Sequence, residues 1–228
     1  MNYVLAPPPP TAVAVAGSNV RFAVHRIYCI GRNYAEHARE MGAAVDRGNP
    51  LFFCKPADAV VADGADVRYP QATADLHHEV EMVVALQSGG ANIAVDSALG
   101  HVFGYAVGLD LTRRDLQALA KAKGMPWDAA KAFDHSAPLS AIRRASESGH
   151  PQHAELSLRV NGQLRQRADI SEMLFSVSQI IHELSTLFEL KGGDLIFTGT
   201  PAGVAALARG DQFNARLGDI AALNGAIV

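Results

Sequence analysis

Two glutamates stand two residues apart inside an apolar run, His77-His78-Glu79-Val80-Glu81-Met82-Val83-Val84-Ala85-Leu86. The content of valine and other apolar residues marks 79–86 as a strand. Side chains alternate along a strand, so Glu79 and Glu81 share a face with Val83 and Ala85, while Val80, Met82 and Val84 point into the opposite layer. Two carboxylates side by side on an apolar face repel each other. Something must offset that repulsion, and a divalent cation is the usual answer.

A second long strand is expected over 102–111, Val-Phe-Gly-Tyr-Ala-Val-Gly-Leu-Asp-Leu. Asp110 shares its face with Gly104, Ala106 and Gly108, a surface almost bare of side chains that leaves room for a bound group. Three carboxylates with no cysteine among them suit a hard cation with oxygen ligands, Mg2+ or Mn2+, with zinc a lesser option. His77 has the same parity as Glu79, so a His/Glu/Glu set stays open.

Other chemistry-bearing residues fall on short elements. His37 and Glu40 lie three apart on a short helix expected over 34–41, so a carboxylate can orient an imidazole there, as a water-activating base requires. Arg114 and Gln117 have the same spacing on a helix expected from Thr112 to about Lys121. Thr112 followed by Asp115 resembles a capping box. Lys131 is a lone charge in the small, apolar segment Trp-Asp-Ala-Ala-Lys-Ala-Phe. Thr198-Gly199-Thr200-Pro201 ends a strand with hydroxyls and free backbone donors. No Gly-Lys-Ser/Thr follows a glycine-rich loop, so phosphate binding of the P-loop kind is unsupported.

The remaining pattern is β-rich, since 20 glycines and 11 prolines among 228 residues imply many turns. We expect an arm over 1–20, with a proline run and an edge strand in Thr-Ala-Val-Ala-Val-Ala-Gly, followed by one domain over 21–228. Strands are expected at Arg-Ile-Tyr-Cys-Ile-Gly, Leu-Phe-Phe-Cys-Lys and Asp-Leu-Ile-Phe. Alternating Leu156, Leu158 and Val160 before Asn161-Gly162 predict a hairpin with a type I′ turn. Ser176–Leu190 predicts an amphipathic helix ended by Gly192 and Gly193. The tail reads as short strands around Gly218 and Asn224-Gly225. The net charge of −3 gives no footprint for nucleic acid, and no run approaches the roughly 20 apolar residues of a membrane helix. Met1–Pro10 lacks the basic start of a secretory signal. Cys29 and Cys54 are expected as reduced, buried hydrophobes, which places the chain in the cytoplasm.

Seven ordered blocks together resemble the fumarylacetoacetate hydrolase family: IYCIGRNYAEHAREMG, LFFCKPADAVV, DLHHEVEMVVAL, GYAVGLDLTRRDLQ, KGMPWDAAKAFD, LRVNGQLRQ and GDLIFTGTPAGV. They span about residues 25–215 and are most similar to the acylpyruvate hydrolase branch, in particular the bacterial fumarylpyruvate hydrolases of gentisate breakdown. The resemblance implies an α+β, β-rich fold, a mixed β-roll with a few short helices, and a homodimer. It implies a Mg2+ or Mn2+ site from Glu79, Glu81 and Asp110, and a His37/Glu40 dyad on a lid helix at about 32–48. Lys131 would orient substrate, and Arg114, Gln117 and Thr200 would bind it. Arg32 is expected to meet a distal carboxylate of the substrate, and Arg113 has no clear role. The implied activity is hydrolysis of the C–C bond of an acylpyruvate. Oxaloacetate decarboxylation, or isomerisation and decarboxylation of a dioxo acid, is the alternative within the family. A dicarboxylate-binding protein without turnover is the alternative outside it.

Overall fold

The computed structural model describes residues 3–42, 45, 48 and 50–228. Of the expected lid segment, positions 43, 44, 46 and 47 lie outside the described residues. The main sheet runs, in spatial order, β4 (Leu51–Lys55), β3 (Ile27–Gly31), β14 (Leu195–Phe197), β7 (Val80–Leu86), β8 (Val102–Leu109), β10 (Ala137–Leu139) and β5 (Val60–Ala62). The pairs β3/β14 and β10/β5 are parallel and the rest antiparallel, so the sheet is mixed. Short β11 (Arg143–Arg144) also pairs with β8. A second sheet, β13 (Gln163–Asp169), β12 (Glu155–Val160), β15 (Gln212–Leu217) and β16 (Ala221–Ala226), is antiparallel throughout. Two small ribbons complete the β structure, β1 (Ala12–Ala14) with β2 (Arg21–Ala23) and β6 (Leu76–His77) with β9 (Thr112–Arg113). The helices are short: α1 (Ala35–Glu40), α2 (Arg114–Lys123), α3 (Asp128–Lys131), α4 (Ala145–Ser148) and α5 (Val177–Leu187). This is the expected β-rich α+β architecture. Among the described residues, no helix is long and apolar enough to cross a membrane.

Strand alternation splits the core in two. Val80, Met82, Val84, Tyr105, Val107 and Leu109 pack against the second sheet and against Ile180, Ile181 and Leu184 of α5. Val83, Ala85, Cys29, Ala106 and Phe197 face the other way and form a second cluster. The main sheet is therefore apolar on both faces, which is why β7 reads as a near-continuous hydrophobic run. Val13 of β1 and Val24, just after β2, join the second cluster, and the ribbon is stitched to Ile142 by backbone hydrogen bonds. The segment expected as an edge strand thus pairs within its own hairpin.

Asn161 (φ 51) and Gly162 (φ 76) carry the two positive φ angles of a type I′ turn between β12 and β13, as expected. Several local expectations are corrected. Thr112 does not cap α2: Arg113 occupies the N-cap without a side-chain bond, and Asp115 accepts from Thr73 and the Ala74 N–H. Helix α5 has its capping box, Ser176 with Gln179, but ends at Leu187. Phe188 turns extended there and packs its ring, tilted, against Tyr28 with centroids 5.0 Å apart, so Gly192 and Gly193 lie beyond the helix end. Asn224-Gly225 lies inside β16, where the missing Cβ admits the Phe213 ring. Cys29 is buried, but Cys54 is exposed on the outer strand β4.

Candidate active site

The ladder between β7 and β8 assembles an acidic triad. Val80 pairs with Leu109 and Glu81 with Gly108, and the Asp110 N–H donates to the Glu79 carbonyl at 2.8 Å. Asp110 therefore stands opposite Glu79, on the face that Glu81 shares. One oxygen from each of Glu79, Glu81 and Asp110 lies within 4.8 Å of the others, and all three residues are buried. The bare face of β8 has another purpose than the one expected. A Cβ on Gly108 would meet the Phe197 ring at 2.8 Å, and one on Gly104 would meet the Arg143 carbonyl oxygen at 2.2 Å. These glycines allow close packing of protein, and the open space lies beyond them.

Three cations converge on the triad. Lys131, carried in by α3, places Nζ 2.7 Å from Glu79 Oε2 and 2.6 Å from Asp110 Oδ2. Arg114, at the start of α2, donates to Glu79 Oε1 at 2.5 Å and to Gln117 Oε1 at 2.6 Å. Lys55, at the end of β4, makes an ion contact of 2.8 Å with Asp110 Oδ1 and donates to the carbonyls of Leu111, at 3.2 Å, and Lys131. Burial pushes Glu79 up, but Lys131, Arg114 and His37 outweigh it and hold its carboxyl far below the usual range. Glu81 is different. Burial, then Asp110 and Glu79, push it well above the usual range, and among the described residues its Oε2 takes only the Gly199 N–H, at 2.7 Å. The triad is thus short of positive charge at Glu81. A buried all-oxygen donor set with one such carboxylate fits a hard divalent cation. His77 stays outside the set: its Nε2 pairs with Asp75 at 2.9 Å and its Nδ1 faces Arg114 at 3.3 Å.

His37 lines the same cleft from α1. Its Nδ1 lies 3.2 Å from Glu40 Oε2, while Glu40 Oε1 accepts from the Gly203 N–H at 3.0 Å. Glu40 thereby ties α1 to the loop that follows Thr200. Burial pushes the His37 imidazole below its ordinary 6.5, against the pull of Glu79 and Glu40. The start of α1 is fixed by Asn33, whose side chain bonds the Phe175 N–H and carbonyl and the Thr198 carbonyl. Gly199 (φ 94) passes so close that a Cβ would lie 2.6 Å from that of Asn33. Arg32 (φ 62) precedes α1, exposed at the cleft.

Thr200 lines the cleft opposite, and its proton has an assigned direction. Gln166 donates to Thr200 Oγ1 and to the Pro201 carbonyl, both at 2.8 Å, and accepts from the Val80 N–H at 3.0 Å. The Pro201 carbonyl only accepts and the Val80 N–H only donates, so the Gln166 amide has one orientation. Thr200 accepts from it and keeps its own hydrogen for the cleft.

All ten residues expected at the site are brought together around one cleft: Arg32, His37, Glu79, Glu81, Asp110, Arg114, Gln117, Lys131 and Thr200 line it, and Glu40 stands behind His37. Arg113 has a structural place, with its guanidinium 4.4 Å above the Phe133 ring and bonded to the Ala129 carbonyl. Lys55, Gln166 and Asn33 were missed from the sequence. Lys55 carried a signal comparable to that of Lys131: Lys131 is a lone charge within a small, apolar segment, and Lys55 closes the apolar run Leu51-Phe52-Phe53-Cys54. Gln166 and Asn33 carried none.

Three comparisons place this geometry among known proteins. The model for the fumarylacetoacetate (FAA) hydrolase C-terminal family matches residues 26–228. A crystal structure of fumarylpyruvate hydrolase from Pseudomonas aeruginosa, in complex with Mn2+ and pyruvate, is 48% identical and superposes with a TM-score of 0.97 over 100% of this chain and 99% of that one. The mitochondrial oxaloacetate tautomerase of Homo sapiens is 41% identical over 189 residues, 83% of this chain and 85% of the relative. An oxaloacetate tautomerase of Escherichia coli is 40% identical over 197 residues, 86% and 90% of the two chains. The family match over residues 26–228 and these likenesses agree with the acidic triad and its cleft, and the chain belongs to the fumarylacetoacetate hydrolase family.

Proposed function

We propose that the protein is a metal-dependent hydrolase that cleaves the carbon–carbon bond of a 3-acylpyruvate, with fumarylpyruvate as substrate and fumarate and pyruvate as products. One observation carries the reading: a buried histidine backed by a glutamate opens into the same cleft as a buried carboxylate triad. The likeness to the Pseudomonas aeruginosa enzyme supports the substrate.

With Nδ1 turned to Glu40, His37 has Nε2 available as a base. It takes a proton from water, and the water oxygen forms a bond to the distal carbonyl carbon of the acylpyruvate. The bond between that carbon and the methylene carbon of the pyruvyl part breaks. Its electron pair goes to the methylene carbon, which takes up a proton to give pyruvate. Glu79, Glu81 and Asp110 would hold a Mg2+ or Mn2+ ion, which would supply Lewis-acid stabilisation of negative charge developing on the substrate oxygens. Lys131 and the Thr200 hydroxyl donate to substrate oxygens, Arg114 and Gln117 orient the substrate, and Arg32 meets a carboxylate at its far end. Helix α1 acts as the lid that carries His37. A homodimer and a cytoplasmic setting complete the proposal; the two unbridged cysteines agree with a reducing compartment.

The tautomerase relatives favour a second reading, proton transfer on oxaloacetate, which needs the same enolate stabilisation and no attacking water. The deciding experiment incubates the protein with fumarylpyruvate and with oxaloacetate, each with Mg2+ and Mn2+, and follows pyruvate formation and the enol–keto relaxation of oxaloacetate. Pyruvate and fumarate in equal amounts from fumarylpyruvate is the expected result. Unchanged fumarylpyruvate beside accelerated oxaloacetate relaxation overturns the hydrolase reading. Binding of both acids without either reaction would make the protein a binder.

A further inference from the structure

Helix α2 presents three polar side chains to the cleft, Arg114, Gln117 and Lys121. Their spacing of three and then four residues puts them in one stripe along the helix. The stripe is graded. Arg114 touches Glu79 at the triad, Gln117 accepts from Arg114, and Lys121 stands two turns further out. At 1.5 Å per residue, Lys121 is displaced from Arg114 by about 10 Å along the helix axis.

Lys121 lies against an aromatic ring. Its Nζ lies 5.2 Å from the centroid of the Trp127 ring, another lining residue, and the side chain is half-buried. A ring face at that distance attracts and aims an ammonium group. Arg32 lines the same cleft from the loop before α1, with a left-handed backbone (φ 62) uncommon for a side chain of its size. Among the described residues, neither Lys121 nor Arg32 has a carboxylate partner within ion-pair distance. Burial, then repulsion from Arg114 and Arg32, push the Lys121 ammonium below its ordinary range and outweigh the pull of Glu79, whose carboxylate is already taken by Arg114 and Lys131.

We infer that Lys121, with Arg32, forms a receptor for a second carboxylate at the far end of an extended 2-oxo diacid, and that Lys121 is a specificity-determining residue of this cleft. The inference rests on the proposal that the 2-oxo acid end of the substrate sits at the triad. An extended chain advances about 1.2 Å per bond. The far carboxyl carbon of a seven-carbon diacid then lies about 7 Å from the first, within salt-bridge reach of Lys121, whereas that of a four-carbon diacid stays about 3.5 Å away, beside Arg114 and Gln117. Fumarylpyruvate belongs to the first class and oxaloacetate to the second, so this receptor also bears on which of the two fits.

The test uses acids that lack the 4-oxo group and so cannot be cleaved. Calorimetry on the Mg2+-loaded protein compares 2-oxopimelate, a seven-carbon diacid, with 2-oxoheptanoate, its monoacid of equal length. Wild type is expected to bind the diacid at least ten-fold more tightly. Lys121→Met should abolish most of that preference and Lys121→Arg should keep it. In turnover, Lys121→Met should lower kcat/KM for fumarylpyruvate at least ten-fold more than for acetylpyruvate, chiefly through KM. Equal affinity for the two acids in wild type overturns the receptor and leaves the hydrolase reading standing. So does a preference that survives Lys121→Met, or a loss of equal size on both substrates. Failure to bind either acid overturns the receptor together with the placement of the 2-oxo acid at the triad. Discrimination between the acids without cleavage of fumarylpyruvate supports the receptor and overturns the hydrolase.

Discussion

Lys55→Met removes a fully buried ammonium and keeps most of its side-chain volume. Asp110 Oδ1 loses an ion contact, and the carbonyls of Leu111 and Lys131 lose a hydrogen-bond donor. Breaking a buried ion pair on one side costs about 3–5 kcal/mol, because the remaining charge stays out of water. Asp110 keeps Lys131 at 2.6 Å on its other oxygen, so the lower end applies, about 3 kcal/mol. For a chain of this size each kcal/mol lowers Tm by about 2–4 °C, so the metal-free variant should melt about 6–12 °C below wild type. Added Mg2+ or Mn2+ should return part of the loss. Asp110 would then have one cation fewer competing for it, so the ion should bind more tightly. A ten-fold gain in affinity is about 1.4 kcal/mol of extra stabilisation at saturating ion, roughly 3–6 °C beyond the shift in wild type. Differential scanning fluorimetry across a metal titration reads both quantities. A metal-free Tm within about 2 °C of wild type would refute the burial argument, and an unchanged metal-induced shift would separate Lys55 from the cation site.

Glu81→Gln should move stability and metal binding in opposite directions: it removes a carboxylate crowded by Asp110 and Glu79, keeping or raising the metal-free Tm, while calorimetric Mg2+ affinity falls at least ten-fold; unchanged affinity would remove Glu81 from the metal set. His37→Ala should lower hydrolysis by about 10²-fold or more with metal affinity retained, and a wild-type rate would take His37 out of the mechanism. The acid limb of kcat/KM should lie below pH 6.5, since burial holds the His37 imidazole neutral to lower pH than in the unfolded chain. The sign for stability is the same: the contribution of a depressed histidine is present above 6.5 and is lost as pH falls through its folded value, so a limb above 6.5 would contradict this environment. Gly108→Ala should cost about 1–3 kcal/mol, because the added methyl meets the Phe197 ring at 2.8 Å and the Pro138 carbonyl at 3.0 Å; a Tm unchanged within error would show that β8 has slack beside the triad.

Most of the site was legible in the one-dimensional order of residues. Period-two alternation alone puts Glu79 and Glu81 on one face, and the split of Val83 and Ala85 from Val80, Met82 and Val84 into two core clusters follows the same rule. Asn161-Gly162 announced its turn because only left-handed-tolerant residues fit there. His37 and Glu40 meet because a helix brings residues three apart together. The family blocks carried the rest of the cleft, from Arg32 to Thr200. Spacing rules also misled where a tertiary contact outweighed local preference. Phe188 leaves α5 to pack against Tyr28, and Asp115 is taken by Thr73 from the segment that leads into β6.

Tertiary structure alone decided how charge is shared inside the cleft. Lys55 and Lys131 lie 76 residues apart in sequence, and Asp110 receives both because β4 and α3 converge over the end of β8. The direction of the Thr200 hydroxyl depends on Gln166, which comes from the second sheet, and on the fixed polarity of Val80 and Pro201. The bare stripe on β8 could signal a ligand or a close neighbour with equal force from sequence, and only the position of Phe197 settles it. Local sequence sets what one strand or turn presents, because those forces act within a few residues. Which buried charges meet depends on strands far apart in the chain, and that pairing is a property of the packed sheet.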